Sequence, residues 1–100
     1  MKNEKYKIQI LGKVSGIPYS YAKSLFDDAE SWLKIRYIGA KIINPTKLCN
    51  KNMLWLFCML KCIFSIIFCA NSVYLLDNWK QSRGAKIELF IALLFNKKIL

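Results

Sequence analysis

The stretch SVYLLDNWKQSRGAKIE, residues 72–88, decides the fold. Its first five residues are apolar apart from Ser72 and predict a buried strand. Residues 77–84 form a polar loop, and residues 85–95 are again nearly all apolar, with a length that favours a helix. A strand, a loop and a helix in this order are typical of a parallel α/β fold.

Glu88 is the unusual residue of the predicted helix, because it is a carboxylate in the first turn of a segment that is otherwise nearly all apolar. At 100° per residue it shares a helix face with Gly84 and Ile91, whereas Lys86 lies almost opposite. The helix dipole also stabilises an acid at this position, so a purely structural role stays open. The orientation of Glu88 towards the apolar face favours a pocket.

The rest of the chain repeats the alternation of strand and helix. We predict strands at residues 7–11, 40–43, 72–76 and 97–100, an amphipathic helix between Pro18 and Gly39, and a second helix at residues 51–68. On the first helix, Ala22, Phe26, Ala29 and Leu33 should face the sheet, and Lys23, Asp27, Glu30 and Lys34 the solvent.

The βαβαβαβ order predicts a single-domain α/β fold spanning residues 1–100. It should be a doubly wound parallel sheet, flavodoxin- or Rossmann-like, of about four strands with helices on both faces. Ligands of such sheets bind beyond the carboxyl ends of the strands. The loops at residues 12–16 and 77–84 should therefore meet at this edge, with Glu88 beside them.

Residues 54–76, from Leu54 to Leu76, are apolar enough for a membrane alternative. Lys61 in mid-segment, at about 2.5–3.5 kcal/mol on insertion scales, and the polar break at Asn71 and Ser72 argue against it. In a soluble helix one side would pack on the sheet through Leu56, Met59, Ile63, Ile66 and Ile67. The opposite side, around Lys61, carries Leu54, Phe57, Phe64 and Phe68, so we expect a homodimer or higher homo-oligomer through that face.

Sixteen basic and six acidic residues give a net charge of +10, which suits an anionic partner. The basic residues are dispersed and form no nucleic-acid motif, so we expect no nucleic-acid partner.

Residues 1–16 lack the long apolar region of a signal peptide, which predicts a cytoplasmic location with reduced thiols. On a helix Cys58, Cys62 and Cys69 would share a flank, but three thiols without a fourth ligand make a poor zinc site, so we expect no metal and no cofactor.

The two loops supply candidate ligand-binding residues. Ser82, Arg83 and the backbone N–H groups at the helix start suit a phosphate. Trp79 could stack on a base, although packing explains a loop tryptophan equally well. The helix terminus and Arg83 would keep Glu88 ionised, as a nucleophile requires.

Four segments together resemble the nucleoside 2-deoxyribosyltransferase-like superfamily, in a small uncharacterised branch. They are residues 11–18, 44–47, 72–79 and 82–88. The resemblance implies that Glu88, four residues after Gly84, is the nucleophile that attacks the anomeric carbon of a 2-deoxyribosyl group. It also implies a nucleotide ligand, because Ser82 matches the phosphate-side serine of the nucleotide-hydrolysing members, and ligand contacts from the first loop, with Gly12, Lys13 and Ser15.

The resemblance places Asn71 where the superfamily usually has a catalytic aspartate. An amide hydrogen-bonds but cannot exchange a proton as a carboxyl does. The function expected is therefore a nucleotide or nucleoside N-glycosidase or 2-deoxyribosyltransferase. The alternatives are a non-catalytic binder of a nucleotide-like metabolite and a membrane-associated protein using residues 54–76.

Overall fold

The computed structural model describes residues 6–14, 16–49, 52 and 54–100. In this part of the chain one parallel sheet contains β1 (Lys7–Leu11), β2 (Lys41–Ile43), β3 (Ser72–Leu75) and β4 (Lys98–Ile99), in the order β2-β1-β3-β4. The helices are α1 (Tyr19–Arg36), α2 (Pro45–Leu48), α3 (Trp55–Phe68) and α4 (Arg83–Leu94), and a 3₁₀ turn covers Trp79–Gln81. The predicted α/β fold, with a four-stranded parallel sheet flanked by helices, is confirmed.

Strand β1 lies in the middle of the sheet. It pairs in parallel with β2, through Lys7 and Lys41, and with β3, through Ile8 and Ser72. Successive side chains of a strand point to opposite faces. Ile8 and Ile10 therefore face one layer of helix, while Gln9 and Leu11 face the other.

Helix α1 covers the first face of the sheet. Its Phe26 and Leu33 are fully buried and pack with Ile8 and Ile10. Glu30, predicted on the solvent side of α1, is buried instead. The cause is a set of polar partners beside α1, described below, that draws the carboxylate inward.

Helices α3 and α4 cover the second face and pack on each other. A buried cluster of Leu11, Ile66, Val73, Ala85 and Ala92 joins them to the sheet. On α3 the buried residues are Met59, Cys62, Ser65 and Ile66. Leu56, predicted to face the sheet, is 59% exposed, because the buried stripe of α3 runs through Cys62 and Ser65.

The apolar stretch of residues 54–76 is divided between α3 and β3. No described helix is both long and apolar enough to cross a membrane. The start predicted for this helix, Lys51, lies outside the described residues; within them the helix begins at Trp55.

The outer side of α3 is apolar, as predicted. Phe57, Phe64 and Phe68 are more than half exposed, and the rings of Phe64 and Phe68 stack with centroids 5.7 Å apart. Lys61 reaches back from this side to the carbonyl oxygen of Leu48, at 3.3 Å. Helix α4 adds Phe90, Leu93 and Leu94, each also more than half exposed.

Candidate functional site

The two loops predicted to meet at the carboxyl edge of the sheet do meet. The backbone N–H of Lys13 donates to Oδ1 of Asn78 at 3.0 Å. The Lys13 ammonium donates to the carbonyl oxygen of Gln81 at 3.1 Å. These bonds hold the loop after β1 against the loop after β3.

A cavity of about 330 Å³ opens beside the joined loops. Four of the residues predicted for a site line it: Gly12, Ser82, Gly84 and Glu88. Its other walls are largely apolar and aromatic, from Val14, Ile17, Tyr19, Phe26, Trp55 and Met59. A pocket of this size with a few polar groups suits a small planar or cyclic ligand.

Helix α4 begins earlier than the sequence pattern indicated. The Ser82 side chain caps it by accepting from the N–H of Ala85 at 3.1 Å, so Arg83 is the first helical residue. Glu88 is therefore in the second turn, and the prediction of a first-turn acid is wrong. Ordinary first-turn stabilisation by the helix dipole no longer accounts for it, because that effect fades within one turn.

Gly84 brings α4 close to α3 at the cavity. A Cβ atom at this position would lie 2.9 Å from Sδ of Met59 and 3.8 Å from Oε2 of Glu88. The absence of a side chain at Gly84 thus leaves room both for Met59 and for access to the Glu88 carboxyl. The spacing of four residues puts Gly84 and Glu88 on the same face of α4, as the sequence predicted.

The Glu88 carboxyl is buried with little to compensate it. Burial raises its pKa to about 8, and a hydrogen bond from Gln9 opposes this only weakly, with Nε2 3.5 Å from Oε1. Glu88 is therefore protonated at neutral pH. The expectation that Arg83 would keep it ionised is wrong, because Arg83 is exposed to solvent and burial dominates.

Gln9 is the site residue that the sequence reasoning missed. It is fully buried in the middle of β1, and its amide N–H also donates to the carbonyl oxygen of Cys62 at 3.1 Å. Its own Oε1 is buried and, among the described residues, has no hydrogen-bond partner. The signal was present: one polar side chain in an otherwise apolar central strand faces the same side as Leu11.

A second cleft, of about 380 Å³, adjoins the cavity and shares Trp55, Ser82 and Gly84 with it. Lys13 and Arg83 line this cleft together with Gln81. The cavity and the cleft thus differ in chemistry. One is apolar and ends at a neutral acid, and the other has two cations beside the N-terminus of α4.

Of the predicted site residues that the structure describes, Asn71 and Trp79 line neither the cavity nor the cleft. Asn71 lies at the amino edge of the sheet, where its Oδ1 accepts from the N–H of Lys7 at 2.9 Å. Trp79 packs against the apolar cluster under α4, and in the described chain Trp55 is the tryptophan that lines the cavity. Ser15 lies outside the described residues.

A polar network supports the wall opposite α4. Asn44 caps α2, accepting from the N–H of Thr46 at 3.0 Å, and its amide donates to Asp27 at 2.8 Å and to Glu30 at 3.0 Å. Burial alone would raise the pKa of Glu30, but hydrogen bonds from Lys34, Lys47 and Asn44 lower it to about 2. The network fixes α2 on α1 and so places Thr46 in the cavity wall.

Cys49 and Cys58 form a disulfide that joins the end of α2 to α3. The prediction of reduced thiols is wrong for this pair, because the packing of α2 on α3 brings their Cα atoms to 5.7 Å, within bonding reach. Cys62 is a buried free thiol and Cys69 an exposed one. Cys49, Cys58 and Cys62 all line the cavity.

The comparisons with known proteins give a family and no more. A family model described as a domain of unknown function, DUF4406, matches residues 6–100, so the chain belongs to that family. No curated protein and no solved structure matches the chain.

Proposed function

We propose that this member of the DUF4406 family binds a nucleotide-like metabolite, with the ring in the cavity and the phosphate in the adjoining cleft. One observation carries the proposal. The Glu88 carboxyl is held neutral at the wall of an apolar cavity with one long hydrogen bond, from Gln9, whose own Oε1 is buried and has no partner within the described chain.

Buried polar groups without partners are rare, because each costs about 1–3 kcal/mol relative to a bonded one. A protonated Glu88 offers both a donor and an acceptor to a ligand. Base edges and sugar hydroxyls present such complementary groups, and the aromatic walls at Trp55 and Tyr19 suit their rings.

The adjoining cleft has the chemistry that suits a phosphate group. Lys13 and Arg83 place two cations beside the first turn of α4, of which Arg83 and Gly84 line the cleft, and a helix N-terminus attracts anions. Arg83 is exposed, which leaves its guanidinium available for bidentate contact with phosphate oxygens. The proposal therefore favours nucleoside monophosphates over nucleosides.

The test is binding of a matched panel at pH 7: 2′-deoxynucleoside 5′-monophosphates, the same deoxynucleosides, and inorganic phosphate. At about 100 times Kd a ligand adds about 2.7 kcal/mol of stability, which in a chain of this size raises Tm by about 10 °C. We expect such a shift with at least one monophosphate and a smaller one with its nucleoside.

Two variants separate the parts of the site. Arg83→Ala should reduce monophosphate affinity to that of the nucleoside and leave nucleoside affinity unchanged. Glu88→Ala should weaken both, whereas Asn71→Ala, at the other edge of the sheet, should weaken neither. Absence of a thermal shift with every member of the panel, or equal effects of Arg83→Ala on nucleoside and monophosphate, would refute the proposal.

A second candidate function is N-glycosidase or 2-deoxyribosyl transfer by covalent attack of Glu88, favoured by the exposure of its carboxyl to the cavity. Only the ionised carboxylate attacks, so base release should rise with pH through a midpoint of about 8 and level off above it, as Glu88 loses its proton. Among the described lining residues Glu88 is the one carboxyl, so protonation of the leaving base has no second acid and turnover should be slow. Base release that is absent at pH 8.5, or that persists in Glu88→Gln, would exclude this function while leaving binding intact.

We also propose that the outer faces of α3 and α4 join two copies of the chain. Each of the four phenylalanines on these faces, Phe57, Phe64, Phe68 and Phe90, is more than half exposed and presents roughly 100 Å². With the exposed leucines beside them, the face reaches the ~800 Å² per partner of a standard interface.

The self-association test compares wild type with a Phe64→Glu variant by light scattering at micromolar concentration without detergent. Wild type should be a dimer or a higher oligomer and the variant a monomer. The matched control is Ile35→Glu, at an exposed position on α1, which should leave the molecular mass of the assembly unchanged. A monomeric wild type would contradict the proposal.

A further inference from the structure

Three cysteine sulfurs converge at one wall of the cavity. The Sγ atoms of Cys49, Cys58 and Cys62 all lie within 4.8 Å of one another. Cys58 and Cys62 are four residues apart on α3 and so share a face, while the packing of α2 on α3 brings in Cys49. The trio differs from the one the sequence pattern suggested, since Cys69 is exposed and lies apart from it.

The spacing of the sulfurs fits a metal ion. Metal–thiolate bonds of about 2.3 Å hold three sulfurs around one ion roughly 4 Å apart. The cluster reaches that arrangement when the Cys49–Cys58 bond is reduced and the two sulfurs separate to non-bonded contact, with Cys62 already beside them. No large movement of the backbone is required.

The donor set selects the kind of ion. The chain contains no histidine, so nitrogen ligands of the usual type are absent. Zinc prefers four ligands, whereas three thiolates without a fourth suit a soft, three-coordinate ion such as Cu(I). The carboxyl in the same cavity, Glu88, is a hard oxygen donor, which a soft ion does not prefer.

We infer that Cys49, Cys58 and Cys62 form, in the reduced protein, a three-thiolate site for a soft monovalent cation of the Cu(I) type. The disulfide is the metal-free, oxidised form of the same site. A dithiol reductant supplies two electrons and two protons to break the Cys49–Cys58 bond. The cation then displaces three protons, one from each thiol, as three metal–sulfur bonds form.

Cys62 is buried, so a cation bound at its sulfur lies away from bulk water. A coordinated thiol is deprotonated outright, so each metal–sulfur bond takes the place of a thiol proton.

The test is an anaerobic titration of the whole chain with Cu(I) against a chromophoric Cu(I) chelator. It uses the dithiol-reduced protein, after removal of the reductant, and the oxidised protein. The reduced form should take up one equivalent with a near-ultraviolet thiolate-to-copper band, and the oxidised form should take up none. The oxidised chain is thus a control that needs no mutation.

Variants then assign the ligands. Changes in the outer partners of metal ligands reduce affinity 10- to 100-fold, so loss of a ligand in Cys62→Ser should reduce it about 100-fold or more. Cys69→Ser removes the exposed thiol outside the cluster and should leave affinity unchanged. Cys49→Ser, at the C-terminal end of α2, should give the same loss as Cys62→Ser without changing the middle of α3, and a thermal melt of each variant establishes folding.

The inference fails if the reduced wild type takes up no Cu(I). It also fails if Cys62→Ser and Cys69→Ser bind alike while both melt cooperatively, because the copper would then rest on any exposed thiol. The panel of nucleotides is not involved, so either result leaves the proposed ligand site to be judged separately.

Discussion

Glu30 and Glu88 are two glutamates with the same solvent-accessible fraction, each 7% exposed, and with opposite acidity. Glu30 lies 2.8 Å from the Lys34 ammonium and 2.9 Å from that of Lys47, and its pKa falls to about 2. Glu88 has one long hydrogen bond, from Gln9, and its pKa rises to about 8. The Glu88 carboxyl lies deeper in the protein and, among the described residues, has no cation beside it, so depth and partners together decide the charge.

The difference separates a structural acid from a site acid. Glu30 has its hydrogen-bonding capacity filled by the protein, and it joins α1 to α2. The hydrogen-bonding capacity of Glu88 is largely unused at the cavity wall, which is typical of a residue in a binding site. Three experiments test this contrast.

The largest effect expected is on the pH dependence of stability through Glu88. Because its folded pKa of about 8 lies above its unfolded value of about 4.5, the folded state binds the proton more tightly. Its contribution is fully present below pH 4.5 and is lost as the pH rises to 8 and above. The loss amounts to roughly 4–5 kcal/mol.

Glu88→Gln removes this titration and keeps the shape of the side chain. Wild type and variant should have similar free energies of unfolding in urea at pH 5, and the variant should be the more stable at pH 9. If the free energies of unfolding of the two proteins vary with pH in parallel between pH 5 and 9, Glu88 is ionised throughout that range. Glu88 would then not differ from Glu30 in charge.

A smaller effect of opposite sign is expected at Glu30. Its folded pKa of about 2 lies below the unfolded value, so its stabilisation is present above pH 4.5 and is lost as the pH falls towards 2. Because Lys34 and Lys47 are both more than half exposed and screened by water, we expect about 1–2 kcal/mol rather than the full value of the shift.

Glu30→Gln should therefore lower the free energy of unfolding at pH 7 and flatten the acid limb of the stability profile. Urea titrations at pH 2.5, 4 and 7 measure the free energy of unfolding at neutral pH and its decrease in acid. A variant that keeps the acid limb of wild type would mean that another carboxylate, Asp27 or Asp28, produces it.

The smallest effect on stability is expected from Gly84→Ala, which acts on the site. Alanine gains about 1 kcal/mol of helix propensity over glycine, and the close approach to Met59 Sδ offsets a similar amount. Stability should change by less than about 1 kcal/mol, whereas the new methyl group narrows the access to Glu88 and should weaken the panel's best ligand. The control Ser31→Ala, at an exposed position on α1 beside Glu30, should change neither stability nor ligand affinity. If Gly84→Ala leaves ligand affinity unchanged, the ligand binds away from Glu88.

The fold follows from the sequence because its signals are local and repeated. The apolar runs at β1 and β3, the amphipathic spacing of α1 and the glycine-containing loops each indicate one element, and the order of the elements implies the parallel sheet. The meeting of the two loops follows from that topology alone. The family match over residues 6–100 adds the family but no reaction.

The site was only partly predictable, because burial and pairing depend on contacts distant in sequence. Glu30 looked like a solvent-facing residue until Asn44 and Lys47, from another element, supplied its partners. Glu88 looked ionised because Arg83 is near in sequence, and it is neutral because its carboxyl is buried. Trp55 reaches the cavity from α3 by packing that no local pattern encodes, and the partner of Gln9, Glu88, lies 79 residues away along the chain.

The central place of β1 in the sheet has a consequence for the order of folding. Ile8 finds its neighbour in β3 at Ser72, and Lys7 finds its neighbour in β2 at Lys41. Parallel pairings between such distant segments form slowly, since each must close a long loop first. During synthesis β2 becomes available to one edge of β1 first, but the other edge stays open until β3 leaves the ribosome. In that interval the unpaired edge of β1 and its apolar side chains Ile8, Ile10 and Leu11 favour aggregation.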